Sequence, residues 1–236
     1  NQKERITYPG SKVVKYEYSY GDLKKIIWDH SNTVVWEKLS DNAKGQLVST
    51  RAGNGIQTNY QYIATGISTS IKSMNGITAI LNLSYPSDQI DSRGNIKQRK
   101  DDYNVLSETF TYDNLNRLST NVSYEANGNI SNKVGVGTYS YSSTRPHAVS
   151  GLTNVPSSVM NDGLSVTYNS ANRPLELSLN STHKYMLTYG ENGQRVKSIY
   201  IKPGETTKTK YYLGPYEDIV RGSSIQKNYY LYAGRE

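Results

Sequence analysis

Four segments of the chain repeat one pattern: "FTYDNLNRL" at 110–118, "VSYEANGNI" at 122–130, "VTYNSANRPL" at 166–175 and "LTYGENGQRV" at 187–196. Each sets an apolar or β-branched residue, a Ser or Thr and a Tyr ahead of a four-residue polar turn, then returns. Their tyrosines, Tyr112, Tyr124, Tyr168 and Tyr189, stand 12, 44 and 21 positions apart, so the repeat is irregular. Weaker echoes precede them: "YSYGDLKKI" at 18–26, "SDNAKGQLV" at 40–48, "NYQYIATGI" at 59–67 and "IDSRGNIKQR" at 90–99. The physical reading is a hairpin. Tyrosine ends one strand with its ring along the sheet, an Asp/Asn/Gly tetrapeptide reverses the chain, and Arg or a small residue followed by an apolar one starts the return. One hairpin is marginal, so many must pair side by side, and long sheets twist and curl.

The intervening text agrees. Leu164, Val166 and Tyr168 alternate with polar residues, as do Leu175, Leu177 and Leu179, then Tyr185, Leu187 and Tyr189, and then Leu118, Thr120, Val122 and Tyr124. Each run predicts a half-buried strand. No long stretch repeats apolar residues at helical spacing. Asn54-Gly55, Asn75-Gly76, Asn127-Gly128, Asn192-Gly193 and Asp162-Gly163 supply the positive φ that tight hairpins need. Pro146, Pro156, Pro203 and Pro215 fall in predicted loops or at strand ends, where a missing amide costs least. The expected fold is all-β: antiparallel β-hairpin repeats forming an elongated, curling sheet.

Composition bears on whether such a chain can fold. Val, Ile, Leu and Phe together make only 48 of 236 residues, but there are 22 Tyr against one Phe. Burying a ring of roughly 150 Å² contributes about 4 kcal/mol before entropy is subtracted. A dry core would favour Phe, so the Tyr excess predicts large, partly hydrated inner faces. The net charge of +7 is scattered, with Lys97, Arg99 and Lys100 the tightest group, which reads as a solvated basic surface and not a nucleic-acid groove. The absence of cysteine removes disulfides and thiolate chemistry. No apolar run approaches the roughly 18 residues of a membrane span, and the Asn1-Gln2-Lys3-Glu4-Arg5 start has no signal-peptide core. Without an initiator Met, the chain is expected to be a piece of something longer.

Taken in order, "RGNIKQR", "ETFTYDNLNRLST", "SYEANGNISNKVGVGTYSYSSTRPHAV", "VTYNSANRPLEL", "YGENGQRVKSIY", "KYYLGPYEDIV" and "NYYLYAGRE" resemble the YD repeats of the rearrangement-hotspot (RHS) family, related to the teneurins and to shell-forming components of bacterial insecticidal toxin complexes. The resemblance spans residues 1–236, with more divergent repeats over 1–92, including "GQLVSTRAGNGIQTNYQY", and clear YD repeats over 93–236. It implies a β-sheet ribbon spiralling into a hollow shell, which in bacterial members encloses a C-terminal toxic domain. The segments tied in that family to aspartyl self-cleavage, "DHLGS"-like and "DPxGL"-type, do not occur in these residues, so self-cleavage is not assigned.

No chemistry outside that reading is indicated. His30, His147 and His183 lack metal-ligand spacing, and His147 in "STRPHAV" is expected to pack in a repeat loop. No G-x-S-x-G elbow is present. Asp88 with Asp91, and Asp101 with Asp102, are read as turn formers around Arg93-Gly94-Asn95 and not as a glycosidase pair or calcium site. "GNG" at 53–55 and "GVG" at 135–137 are turn and repeat glycines. The N-x-S/T triplets at Asn82, Asn121, Asn129 and Asn180 are expected by chance in so Asn-, Ser- and Thr-rich a chain. We therefore expect no catalytic, cofactor-binding or metal residues, no cofactor, no nucleic acid and no membrane span. The leading expectation is a non-enzymatic shell segment of a secreted or surface bacterial protein, of the polymorphic-toxin kind, that encapsulates or carries a C-terminal toxin or effector. Its expected partners are its own C-terminal cargo domain and flanking repeats, with secretion machinery a further candidate. The alternative is a cell-surface adhesin or motility-associated protein binding carbohydrate or another partner, which requires exposed rings. An enzyme with its active site elsewhere is a third class.

Overall fold

The computed structural model describes residues 4–159, 163–179 and 182–233. Asp162 and Asn180 lie outside the described residues, as do Asn1, Gln2, Lys3 and the closing "GRE". The chain divides into two compact units, Asn1–Val134 with Ala233–Glu236, and Gly135–Tyr232.

The first unit holds β1 (Arg5–Tyr8), β2 (Lys12–Ser19), β3 (Asp22–Trp28), β4 (Thr33–Asp41), β5 (Leu47–Ala52), β6 (Gln57–Tyr62), β7 (Ser68–Asn75), β8 (Thr78–Ser84), β9 (Gln98–Asp101), β10 (Leu106–Thr109), β11 (Val122–Tyr124) and β12 (Ile130–Lys133). The second holds β13 (Gly137–Tyr141), β14 (Val149–Thr153), β15 (Leu164–Tyr168), β16 (Pro174–Leu179), β17 (His183–Tyr189), β18 (Arg195–Ile201), β19 (Lys208–Tyr212), β20 (Tyr216–Arg221) and β21 (Ser224–Tyr229). A single 3₁₀ turn, Ser87–Gln89, is the only helical element among the described residues. The strands run antiparallel and in strict chain order: in the first unit β1–β10 form one ten-stranded sheet and β11 pairs with β12, and in the second β13 pairs with β14 and β15–β21 form one seven-stranded sheet. This is the hairpin meander the sequence predicts, and among the described residues no sheet closes on itself.

Apolar burial is concentrated in few places. In the first unit Tyr8, Val14, Tyr16, Ile26 and Ile27 are buried on β1–β3, and burial pushes the Tyr16 hydroxyl up to about 12. In the second, Leu187, Tyr216 and Ile219 are buried. Between these points the sheets bury hydroxyls instead. Ser49, Thr50, Ser73, Ser178 and Ser198 are all buried, and Thr58 and Ser73 share a cross-strand hydrogen bond of 2.9 Å. Ser49 donates to Asn59 Oδ1 at 2.8 Å and accepts from Gln57 Nε2 at 3.0 Å. A buried hydroxyl with a partner costs little, so a sheet face can be lined with polar side chains and still hold together.

The structure corrects one strand. Leu118–Tyr124 is not continuous: Leu118 makes an isolated bridge to Tyr112, and the strand begins only at Val122. Asn121 takes a left-handed φ of 59°, and the Val122 amide bonds back to the Ser119 carbonyl. Alternation alone did not reveal that turn, because Thr120 uses its hydroxyl to accept the Thr111 amide at 2.5 Å instead of entering a ladder. Two predicted core leucines also sit outward, Leu164 at 62% and Leu175 at 39% exposure.

Candidate functional site

The recurring feature is a single turn geometry. At eight of the described turns the first residue donates its amide to the carbonyl four positions on, and its own carbonyl accepts the amide three positions on; the first residues are Asn42, Ala52, Ile63, Asp91, Asp113, Glu125, Asn169 and Gly190. The fourth residue is left-handed in every case: Gly45, Gly55, Gly66, Gly94, Asn116, Gly128, Asn172 and Gly193. This is a type I turn closed by a left-handed residue, which leaves a bulge in the ladder. The registers show the bulge where the tyrosine preceding the turn pairs with the residue five beyond the turn's start, as in Tyr124 with Ile130, Tyr168 with Pro174 and Tyr189 with Arg195.

An Asp or Asn in first position clasps the turn. Asp113 Oδ1 accepts the Leu115 and Arg117 amides, both at 2.9 Å, and Asp91 Oδ1 accepts those of Arg93 and Asn95 at the same distance. Asn42 and Asn169 do likewise for Lys44 with Gln46 and for Ala171 with Arg173. Backbone bonds from Asn95 and from Arg117 hold the Asp91 and Asp113 carboxyls below the ordinary range.

The tyrosine joins one turn to its predecessor. Tyr62 donates to the Leu47 carbonyl at 2.8 Å, Tyr112 to Ile96 at 2.7 Å, Tyr124 to Leu118 at 2.8 Å and Tyr189 to Pro174 at 2.8 Å. Each acceptor lies five residues past the start of the preceding turn on the same edge: 47 after 42, 96 after 91, 118 after 113, and 174 after 169. The residue before that acceptor then covers the later turn. Gln46 Nε2 donates to the Gly66 carbonyl at 2.8 Å, Asn95 Nδ2 to Asn116 Oδ1 at 3.2 Å, and the Arg117 guanidinium lies 4.2 Å from the Tyr124 ring centre. Arg173 sits 5.7 Å from the Tyr189 ring and so close to Gly193 that a Cβ there would lie 1.6 Å from Arg173 Nη1. Gly193 is thus required twice, by its φ of 70° and by the cation lying on it.

The predicted chemistry-bearing residues are dispersed. His30 and His147 are exposed in separate loops and His183 begins β17. Two residues before His147, the Arg145 guanidinium lies 5.0 Å from the Tyr168 ring. Asp91 and Asp101 clasp turns, Asp101 through the Tyr103 and Asn104 amides, while Asp102 accepts from Asn82 Nδ2 and Asp88 from Gln89 Nε2. Gly53 and Gly137 are close-approach glycines, whose added Cβ would meet the Val34 and Thr153 carbonyls at 2.6 Å. Among the described residues no group of three or more His, Asp or Glu side chains gathers as a metal site, and no helix is long and apolar enough to cross a membrane. Sequence reasoning missed the hydroxyl acceptors and the role of Asn116 and Asn172; the Asn-Arg pairs at 116–117 and 172–173 were the available signal.

The fold and its linked turns define the class: an all-β protein of sequential antiparallel hairpin repeats. Solved chains of the same fold come from toxin complexes. A Tc holotoxin pore of Photorhabdus luminescens aligns over 94% of this chain and 14% of its own, at a TM-score of 0.67 and 16% identity. A TcdB2-TccC3 crystal structure and one of TcdB2-TccC3-Cdc42 give TM-scores of 0.70 and 0.71 at 16% and 17% identity, with the same coverage. The likeness is one of fold, and this chain spans 14% of the length of the chains it matches. No family model and no curated protein matches the sequence.

Proposed function

We propose that residues 1–236 are one stretch of an RHS/YD-repeat wall, with the clearer repeats over 93–236, whose work is containment and not catalysis. In this reading the wall belongs to a secreted or surface-displayed bacterial protein that encloses or carries a C-terminal toxin or effector. Its partners are that cargo domain and the flanking repeats, and secretion machinery engages it in transit. The observation that carries the reading is the linkage between turns. Four tyrosine hydroxyls, those of Tyr62, Tyr112, Tyr124 and Tyr189, each tie a turn to an earlier turn on the same edge, a linkage that serves mechanical continuity.

The adhesin reading requires exposed rings, and Tyr20, Tyr103 and Tyr232 are more than half exposed. The repeat tyrosines Tyr62, Tyr112, Tyr124, Tyr168 and Tyr189 are only partly exposed, which favours the wall. Limited proteolysis of the full-length product separates the two. Containment predicts that sequence C-terminal to Glu236 resists protease in the intact protein and becomes labile when the wall is unfolded. Equal cleavage in both states, together with saturable glycan binding by the intact protein, would replace containment with adhesion.

A further inference from the structure

Across the sheets, cations usually face carboxylates. Lys25 lies opposite Glu37 and bonds it at 3.4 Å, Arg99 opposite Glu108 at 2.5 Å, and Lys227 opposite Asp218. Two places break this rule. Arg5 faces Lys15 across β1 and β2, but each has its own acid, Asp29 at 3.4 Å and Glu17 at 2.8 Å. Lys208 faces Arg221 across β19 and β20, and neither makes an ion pair with any described residue. Like charges directly opposite on paired strands raise the free energy of the sheet.

The surroundings of that second pair form a recess of about 350 Å³, lined by Tyr200, Glu205, Thr206, Lys208 and Arg221. Tyr200 faces Lys208 in register, so ring, ammonium and guanidinium stand in one transverse row on one face of the sheet. Glu205 lies at the rim, its carboxylate paired with Lys202 across the turn and within electrostatic reach of Arg221, so one carboxylate shared with Lys202 stands beside two cations. Tyr200 is 37% exposed. We propose that this recess binds an oxyanion of the phosphate or sulfate class. The Arg221 guanidinium offers a planar two-donor fork, Lys208 a compact point charge and Thr206 a hydroxyl donor, while the Tyr200 ring flanks the site as an apolar plane. The recess exceeds the size of a bare anion, leaving room beside Tyr200 for a ring that carries one.

The test titrates the 236-residue chain at fixed low ionic strength with inorganic phosphate, with a hexose phosphate and with the uncharged hexose, followed by amide chemical shifts and by thermal melting. Phosphate is expected to saturate, to shift amides of β19 and β20 and to raise the melting temperature. Lys208→Gln and Arg221→Gln should each weaken binding about tenfold. Both variants relieve the like-charge contact, so they fold, and Thr206→Val gives a third, uncharged probe of the same site. Tighter binding of the hexose phosphate than of phosphate, lost in Tyr200→Ala, identifies an anion carried on a ring; equal binding identifies the free anion. No saturable binding of either anion overturns the proposal. So does an equal loss in Lys197→Gln, whose side chain occupies the alternate face of β18.

Discussion

Replacing Tyr189 by Phe removes one atom from one link. The hydroxyl gives a 2.8 Å bond to the Pro174 carbonyl, and the ring keeps its place beneath the Arg173 guanidinium. A neutral hydrogen bond of this kind is worth about 1 kcal/mol net, because the unfolded chain gives both groups to water. The cation–ring contact, about 0.5–1 kcal/mol at an exposed site, survives in Phe and is lost only in Tyr189→Leu. In the Gly135–Tyr232 unit, about 1 kcal/mol corresponds to a fall of roughly 4–8 °C in melting temperature. Urea unfolding should show a lowered midpoint with an unchanged slope, since the surface exposed on unfolding is the same. Tyr211→Phe is the matched control: that ring is 39% exposed on β19, two strands from β17, and its hydroxyl bonds to none of the described residues, so the change should stay under about 0.5 kcal/mol. If the two variants lose the same stability, the hydroxyl link has no energetic content and the account of the repeat fails.

Gly193→Ala forces a side chain into a left-handed φ of 70° and displaces the Arg173 guanidinium, so it should cost about 1–2 kcal/mol in thermal unfolding, whereas Asn116→Gly relieves the left-handed φ but loses the Arg93 and Asn95 bonds to its Oδ1, so the two effects offset and the change should stay under about 1 kcal/mol. Asp91, Asp101 and Asp113 are held below their unfolded-state values, Asp91 by the Asn95 amide, Asp101 by the Asn104 side chain and Asp113 by the Arg117 amide. Their contribution is therefore complete above about pH 4 and is lost as pH falls through the depressed values, because the unfolded chain takes up protons first. A pH titration of stability should show a steep acid limb, shallower in Asp113→Asn, because the Asn oxygen still accepts the same two amides but loses the 2.7 Å ion pair with Arg117, so stability falls near neutrality and less in acid. Glu217 is buried on β20, bonded by Lys210 Nζ at 2.6 Å and by the Tyr230 hydroxyl at 2.5 Å. Glu217→Ala strands both donors and should destabilise the second unit by about 2 kcal/mol in urea, well beyond Glu108→Ala at the exposed Arg99 pair.

Strand identity and chain reversal were legible because both leave side-chain signatures: Leu187 and Tyr189 alternate with polar neighbours, and Asn54-Gly55 or Asn192-Gly193 marks a turn. The role of Asp113 was half legible, since Asp at a turn is expected, but its grip on two amides depends on the exact offset to Leu115 and Arg117. The acceptors of the tyrosine hydroxyls were illegible for a simple reason. They are main-chain carbonyls at Leu47, Ile96, Leu118 and Pro174, and a carbonyl has no letter. The break at Asn121 was hidden because Asn can be strand, turn or left-handed, and only its neighbours' hydrogen bonds decide. The breaks after β10 and after β14 were equally hidden, as the same alternation runs on both sides of them.

Strand order that never departs from chain order has a temporal meaning. Every hairpin's partner has already emerged when the hairpin itself appears, and the hydroxyl that secures it reaches backward, from Tyr124 to Leu118 or from Tyr189 to Pro174. Such a polypeptide can zip up behind a ribosome or a translocation channel one reversal at a time, without waiting for its distant end.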